Sequence, residues 1–319
     1  MRRMVVNLII ILTVLFGWNR AATGAVGGYA GTFLRLTPDA VSAGLGGITL
    51  FNNASGYAFF HNPAALMESR RGIHAGTVNL PLDRHLYGLN YTMELPPTAH
   101  LGLGVMSAGT RNIPGRDSRG YYTGELQDEE RLLGVAFAND LSSRVAIGVV
   151  LKLIQHKLTG AEDAWDLSAT GFGLSTGLMV KMTPSTTVAV SLQNLQLKYN
   201  WNTESLFTSG QGQTYSEPFP VLMAVGFRQK LGRFQVMGEM DSWLGGEAYQ
   251  YRGGLIYSGW QNLTLRTGAQ YVDAAFLPGF SASYHLPVEF GPRMQIDYGI
   301  VLGVIGEGVR QYVSWEMEF

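Results

Sequence analysis

The sequence predicts an all-β chain, a transmembrane antiparallel β-barrel of about fourteen strands with an N-terminal hatch segment in its lumen. Three observations predict it. From Ile73 to Phe319 the chain repeats short segments in which apolar residues alternate with small or polar ones, each ended by Gly, Pro, Asn, Asp or Ser. That period of two places successive side chains on opposite faces of a strand. Charged residues are only 15% of the chain while apolar residues are 46%, against roughly 25% charged in an ordinary soluble domain. Finally, connections between segments alternate in length, short at one end and long and polar at the other, as in barrels with tight periplasmic turns and longer outer loops.

The N-terminus comes first. Arg2 and Arg3 precede an apolar run from Met4 to Trp18, followed by Ala21, Ala22, Thr23, Gly24 and Ala25. A positive start, a short apolar stretch and small residues form a secretory signal pattern over residues 1–25. The run is shorter than the roughly 20 residues that span a bilayer as a helix, so export is favoured over a membrane anchor. The 319 residues contain no cysteine. Disulfides, thiolate metal sites and a lipoprotein anchor are therefore not expected. The formal net charge of -1 argues against nucleic acid as a partner.

The barrel is read over residues 71–319, with strands starting near Ile73, His85, His100, Arg131, Arg144, Leu167, Thr186, Pro218, Arg233, Tyr249, Asn262, Pro278, Pro292 and Gly308. Val145, Ile147, Val149, Leu151 and Leu153 make one aliphatic face, and Ala146, Gly148, Val150 and Lys152 the other. Pro96-Pro97-Thr98, Leu141-Ser142-Ser143 and Thr183-Pro184-Ser185 are short turns; Thr110 to Glu130, Thr159 to Asp166 and Asn202 to Glu217 are long loops. A soluble sandwich or propeller would carry charge on its second face, and here that face is mostly Gly, Ala, Ser and Thr. Tyr57, Tyr87, Tyr91, Trp201, Trp243, Tyr249, Tyr257, Trp260 and Tyr271 are read as aromatic girdles at the two interfaces. Val313, Trp315, Met317 and Phe319 occupy alternate positions to the C-terminus, and Trp315, Met317 and Phe319 resemble the insertion signal read by barrel-assembly machinery. An outer-membrane location in a Gram-negative-type bacterium, with outer-membrane lipid as the surroundings, follows from this reading.

Residues 26–70 do not alternate. A lumen of fourteen strands is wider than side chains alone fill, so this Gly-rich segment is read as a hatch. Its residues run Phe33-Leu34-Arg35-Leu36-Thr37-Pro38-Asp39-Ala40, then Gly44-Leu45-Gly46-Gly47, then Asn52-Asn53-Ala54-Ser55, then Asn62-Pro63-Ala64-Ala65-Leu66. In that order they resemble the PorV/PorQ family of outer-membrane proteins, which is related to the FadL-type transporters of hydrophobic compounds. The resemblance implies a fourteen-stranded barrel with an N-terminal hatch, and it places Asn62, Pro63 and Ala64 as structural residues where the hatch joins the first strand.

The motifs of chemistry are missing. His61, His74, His85, His100, His156 and His285 show no metal-ligand spacing, and no G-x-S-x-G element occurs. Neither catalytic residues, metal nor cofactor are expected; His156 is read as part of a wet loop rim. Lys152, Arg228, Gln235, Glu239, Asp241, Arg252, Arg266, Gln270, Arg293, Gln295 and Asp297 are placed on the lumen face. They serve either as ion pairs that hold the hatch or as a polar path for a solute. The Thr110 to Glu130 loop is read as solvated, or as docking a partner through Tyr121 and Tyr122. Two functions follow. One is a non-enzymatic surface scaffold or secretion-associated protein that holds an exported client, as PorV/PorQ resemblance implies. The alternative is a FadL-like transporter, with a hydrophobic small molecule bound by Phe33, Leu36, Phe51, Phe59 and Phe60.

Overall fold

A computed structural model of the chain describes residues 30–51, 56–160, 165–203, 212–244, 249–272, 275–287, 291–303 and 308–319. The signal segment and the Asn52-Asn53-Ala54-Ser55 stretch lie outside the described residues. Among the described residues there are sixteen strands: β1 (Gly72–Leu80), β2 (Arg84–Leu95), β3 (Ala99–Arg116), β4 (Tyr122–Ser142), β5 (Val145–Thr159), β6 (Asp166–Thr183), β7 (Thr186–Leu195), β8 (Lys198–Asn202), β9 (Thr214–Pro218), β10 (Leu222–Leu231), β11 (Phe234–Trp243), β12 (Tyr249–Tyr257), β13 (Leu263–Val272), β14 (Ala275–Leu286), β15 (Arg293–Leu302) and β16 (Val309–Glu318). Fourteen of them close a barrel, each antiparallel to its neighbours, with β1 paired to β16 and β7 paired to β10. The remaining two, β8 and β9, form a hairpin that pairs with the outer end of β6.

Alternation puts the apolar face outward. Ile147, Val149, Leu151 and Leu153 are 43–46% exposed while Ala146 and Val150 are fully buried. Leu89, Val105, Leu133, Leu153 and Phe172 lie in one register row across β2 to β6. This is the band that hydrocarbon accommodates, and the closed ladder leaves no backbone edge in lipid. Tyr87, Trp260 and Tyr271 are exposed, as a girdle requires. Tyr57, Trp201 and Trp243 are instead buried inside. Tyr57 precedes the barrel, Trp201 sits on the β8–β9 hairpin, and Trp243 ends the inward face of β11.

Two expected loops are different. Within Thr110 to Glu130 only residues 117–121 form a turn; β3 and β4 continue beyond the rim as a two-stranded ribbon with a bulge at Arg111-Asn112. Both faces of that ribbon are wet, so its strands carry no apolar alternation to read. Within Asn202 to Glu217 the sequence contributes part of the β8–β9 hairpin. Asn194 and Gln196, at φ 61° and 57°, turn the chain inward after β7 and bury Tyr199, Trp201 and Phe219 at the outer end of the lumen.

The described part of the N-terminal segment, residues 30–51 and 56–71, packs on the inner wall. Among the described residues its α-helix, α1 (Ala40–Gly44), is capped by Asp39, whose Oδ1 accepts the Ser42 N–H at 2.7 Å. Residues 38–51 then pass around the lumen strand by strand. A methyl group at Gly88 of β2 would fall 2.5 Å from Pro38, and at Gly76 of β1 it would overlap the Pro38 carbonyl. On β16, Ser314 Oγ accepts the Ala40 N–H at 3.2 Å. Gly299 of β15 lies against Ala40, Gly279 of β14 against the Ala43 carbonyl, and Gly268 of β13 and Gly254 of β12 against Leu45. On β11, Glu239 accepts the N–H groups of Thr49 at 2.9 Å and Leu50 at 3.0 Å; Gly226 of β10 faces Leu50 and Phe51. Residues 59–64 cover the other side. His61 Nδ1 lies 3.3 Å from Gln193 Oε1 of β7, Asn62 meets Gly177 of β6, Pro63 meets Gly148 of β5, Phe60 meets Gly134 of β4 and Phe59 meets Gly102 of β3. All fourteen barrel strands thus touch residues 38–51 or 59–64. The glycines on the inner face are there because only a missing side chain lets two backbones approach this closely.

Candidate ligand cavity at the outer end of the lumen

Above this packed layer, at the long-loop end, lies a cavity of about 580 Å³. Its floor is the 3-10 turn Thr32–Arg35 with Leu36; its walls are the outer ends of the inward faces of β1 to β4, β12 to β14 and β16. Phe33, Leu36, Leu80, Leu86, Ala108, Val272, Ala275 and Leu277 make the apolar surface. Arg35, Arg84, His85, Asp128, Glu130, Gln250, Gln270 and Arg310 are the polar groups that could orient a ligand. Apolar walls with a few directed polar groups, in a volume of this size, are the ordinary make-up of a small-molecule site.

The acidic side of the cavity is built by tertiary contacts. His156 Nε2 lies 2.6 Å from Asp128 Oδ1, and the Tyr199 hydroxyl donates to Glu130 at 2.8 Å. The rings of Tyr199 and Trp201 pack on His156 at 5.2 and 4.8 Å, and Trp201 Nε1 donates to Glu217 at 2.9 Å. Burial, with the Glu130 carboxylate alongside, pushes the Tyr199 phenol far above its usual range, so it remains a donor. His156 is therefore an inward, mostly covered partner of Asp128, where the sequence suggests a wet rim. On the floor, the Arg35 guanidinium lies 4.5 Å above the Trp243 ring.

The anticipated apolar site separates into two groups. Phe33 and Leu36 line the cavity. Phe51, Phe59 and Phe60 do not; they are 1–2% exposed, with Phe59 and Phe60 stacked at 4.4 Å against the glycines of β3 and β4. Leu80, Leu86, Ala108, Val272 and Leu277 take their place. Their signal was strand parity at the outer ends, where each has the inward register.

The anticipated lumen groups Lys152, Glu239, Asp241, Arg252, Arg266 and Asp297 are all inward and buried. Arg252 bridges Glu239, at 2.7 Å, and Asp241. Arg228 pairs with Glu68 of the N-terminal segment. Arg266 and Asp297 both bond Ser283, and Ser314 donates to Asp297 at 2.9 Å. Lys152 Nζ donates to Asn194 at 3.2 Å. Arg293 is different: it is exposed at the inner rim, beside His285, Glu316 and Glu318, because β15 begins with it. Asn62, Pro63 and Ala64 lie against β5 and β6, and not at the entry to β1, because the turn Pro63–Glu68 and three further residues carry the chain back across. Asn62 Nδ2 donates to the Leu50 carbonyl at 2.7 Å and its Oδ1 accepts from Ala64 N–H at 3.2 Å. Trp315 and Met317 face outward on β16, and Phe319, 61% exposed, donates its N–H to the Arg71 carbonyl at 2.9 Å. Among the described residues no cluster of three or more His, Asp or Glu side chains is placed to hold a metal.

The fold is a closed fourteen-stranded antiparallel barrel. It is similar to the toluene transporter TbuX of Ralstonia pickettii, at 13% identity and a TM-score of 0.64 over 88% of this chain and 98% of that one. It is similar to the monoaromatic hydrocarbon channel CymD, at 15% identity and 0.64 over 92% and 99%. A Pseudomonas aeruginosa FadL homologue aligns at 12% identity and 0.62 over 88% and 98%. No protein-family model and no curated protein matches the chain. Of the two expectations drawn from the N-terminal motifs, the FadL-type barrel is thus matched. The PorV/PorQ assignment and the scaffold role attached to it draw no support from these similarities.

Proposed function

We propose that the chain is a non-catalytic outer-membrane transporter that takes up small hydrophobic or amphipathic molecules through the cavity over Thr32–Leu36. The observation that carries this is a half-apolar cavity opening at the long-loop end and closed beneath by the N-terminal segment, in a fold shared with hydrocarbon transporters. Residues 1–25 act as the export signal, 26–70 as the hatch and 71–319 as the barrel. The buried groups Glu239, Arg252, Arg228 and Asp297 anchor the hatch. That role accounts for their inward pairing, since a charge buried without a partner is costly. Outer-membrane lipid surrounds the barrel, and Trp315, Met317 and Phe319 are its insertion signal.

Native mass spectrometry of the protein extracted mildly from its outer membrane tests the reading. A retained, exchangeable apolar small molecule, lost when Ala108 is replaced by Trp, is the expected result. A stoichiometric protein companion with no small molecule would overturn it in favour of the scaffold.

A further inference from the structure

At the short-turn end, beneath the packed layer, lies a second cavity of about 350 Å³, an inner vestibule. Part of its wall is one register row: Lys230 pairs with Gln235, Gln235 with Ile256, and Ile256 with Arg266, across β10 to β13. Each of these positions has the inward parity, so side chains from four strands converge on one space. Lys230, Ser258 and His285, which also line it, are exposed, so the space is open to solvent. Ile256 is the one wholly apolar side chain among the ten lining residues. The volume suits a small molecule, and the lining suits a polar one.

Charge in the vestibule is unbalanced. Arg228, Lys230 and Arg266 line it against a single carboxylate, Glu68. Glu68 is already taken by Arg228, whose Nη1 donates to it at 2.9 Å. Arg266 is 6% exposed. Among the described residues it bonds the Ser283 hydroxyl, forms no ion pair, and keeps a buried Nε without a partner. Asp297 is reached only through that hydroxyl, and it accepts from Ser283, Gln295 and Ser314. Glu316, on the neighbouring wall, lies 3.3 Å from His74. A guanidinium buried without a counter-ion is costly, and its planar fork matches two oxygens of a carboxylate or phosphate. Lys230 faces it across three strand spacings, roughly 14 Å between backbones, a span that two long side chains and one small anion bridge.

We propose that the inner vestibule is an oxyanion site: it takes a small carboxylate- or phosphate-bearing molecule from the short-turn side and holds it between Arg266 and Lys230. The site stands apart from the outer cavity, whose polar groups on the same strands, Gln250 and Gln270, lie at the opposite ends of β12 and β13. It holds whether or not the outer cavity takes an apolar ligand.

The test is calorimetric titration of the full-length protein in a non-ionic detergent, at neutral pH and fixed sodium chloride, with sodium phosphate and separately with sodium succinate. Wild type is expected to bind at least one of them saturably. Arg266→Gln should weaken that binding about tenfold, the loss expected of one charge-assisted hydrogen bond. Lys230→Glu, at the exposed end of β10, should abolish it by placing a carboxylate opposite Arg266. That variant decides the matter if Arg266→Gln does not fold. Arg144→Gln, which removes an exposed charge at the same end but outside the vestibule, should bind as wild type does. Phosphate binding without succinate binding assigns a phosphorylated ligand, the reverse assigns a carboxylate, and binding of both supports the shared oxyanion class. Absence of saturable binding to folded wild type, or binding that survives Lys230→Glu, would overturn the proposal.

Discussion

Asn62 and Gly177 are complementary: the Oδ1 of Asn62, a residue with no exposed surface, occupies the space a side chain at Gly177 would need. The same amide bonds Leu50 and Ala64, so this position ties the two halves of the N-terminal segment to each other and to β6. Gly177→Ala should therefore lower the thermal midpoint in detergent as much as Asn62→Ala. Leaving the Leu50 carbonyl unpaired costs about 2 kcal/mol. The double variant should cost less than the sum, because the second change relieves the overlap made by the first. Additive losses would count against the complementarity.

Glu239 is placed to bind the segment and the wall together. Glu239→Ala should release the N–H groups of Thr49 and Leu50 and leave Arg252 with Asp241 as its one remaining carboxylate beside Gln250, at a cost of about 3 kcal/mol for a broken buried pair. Exchange at Thr49 and Leu50 should speed up before any strand amide does. Equal loosening of β11 and the segment would refute an anchoring role.

Acidification should act in opposite directions on the two halves of the segment. Burial pushes the Asp39 carboxyl up from 3.8 to about 6, against its bonds to Ser42 and with Asp297 adding to the rise. The packed state therefore binds more protons than the released one between those values, and lowering pH from 7 toward 4.5 favours packing there. Burial, then the Lys152 charge, pushes the His61 imidazole down from 6.5 to about 3. Here the released state binds more protons, and the same acidification disfavours packing. Exchange corrected for intrinsic rate should slow over 40–44 and quicken over 58–64. Asp39→Asn should abolish only the first change.

Filling the outer cavity should impair uptake without harming the barrel. Ala108 is inward, lines the cavity and lies on β3 between Leu86 and Glu130 in register. Ala108→Trp should cut binding of an apolar probe by about tenfold, the equivalent of 1.4 kcal/mol. Phe59→Leu, deep in the packed layer, should leave probe binding near wild type while lowering stability by about 1 kcal/mol.

Replacement of Phe319 by Ser should reduce the yield of heat-modifiable protein in the membrane, because the exposed ring ends the outward row of Val313, Trp315 and Met317. Unchanged yield would count against the insertion-signal reading.

What the sequence determined by itself was the wall. Period-two alternation, a low charge fraction and the turn spacing defined fourteen strands, most of them starting within a residue of where β1 to β3, β5 to β7, β11 to β13, β15 and β16 begin, because register in a barrel follows from which face must meet lipid. The inward placing of Lys152, Glu239, Asp241, Arg252, Arg266 and Asp297 was legible for the same reason. Where that rule has no purchase, the sequence was silent. The ribbon of β3 and β4 is wet on both faces, and Phe51, Phe59 and Phe60 look alike as pocket lining or as packing. Only the tertiary structure decided that two stretches of the segment, 38–51 and 56–64, between them touch every barrel strand, that glycines on the wall are their counterpart, and that Leu80, Leu86, Ala108 and Leu277 meet Phe33 and Leu36 in one cavity. Those relations join residues far apart in the chain through close approach in space, and no local pattern of hydrophobicity records which glycine a distant backbone will touch.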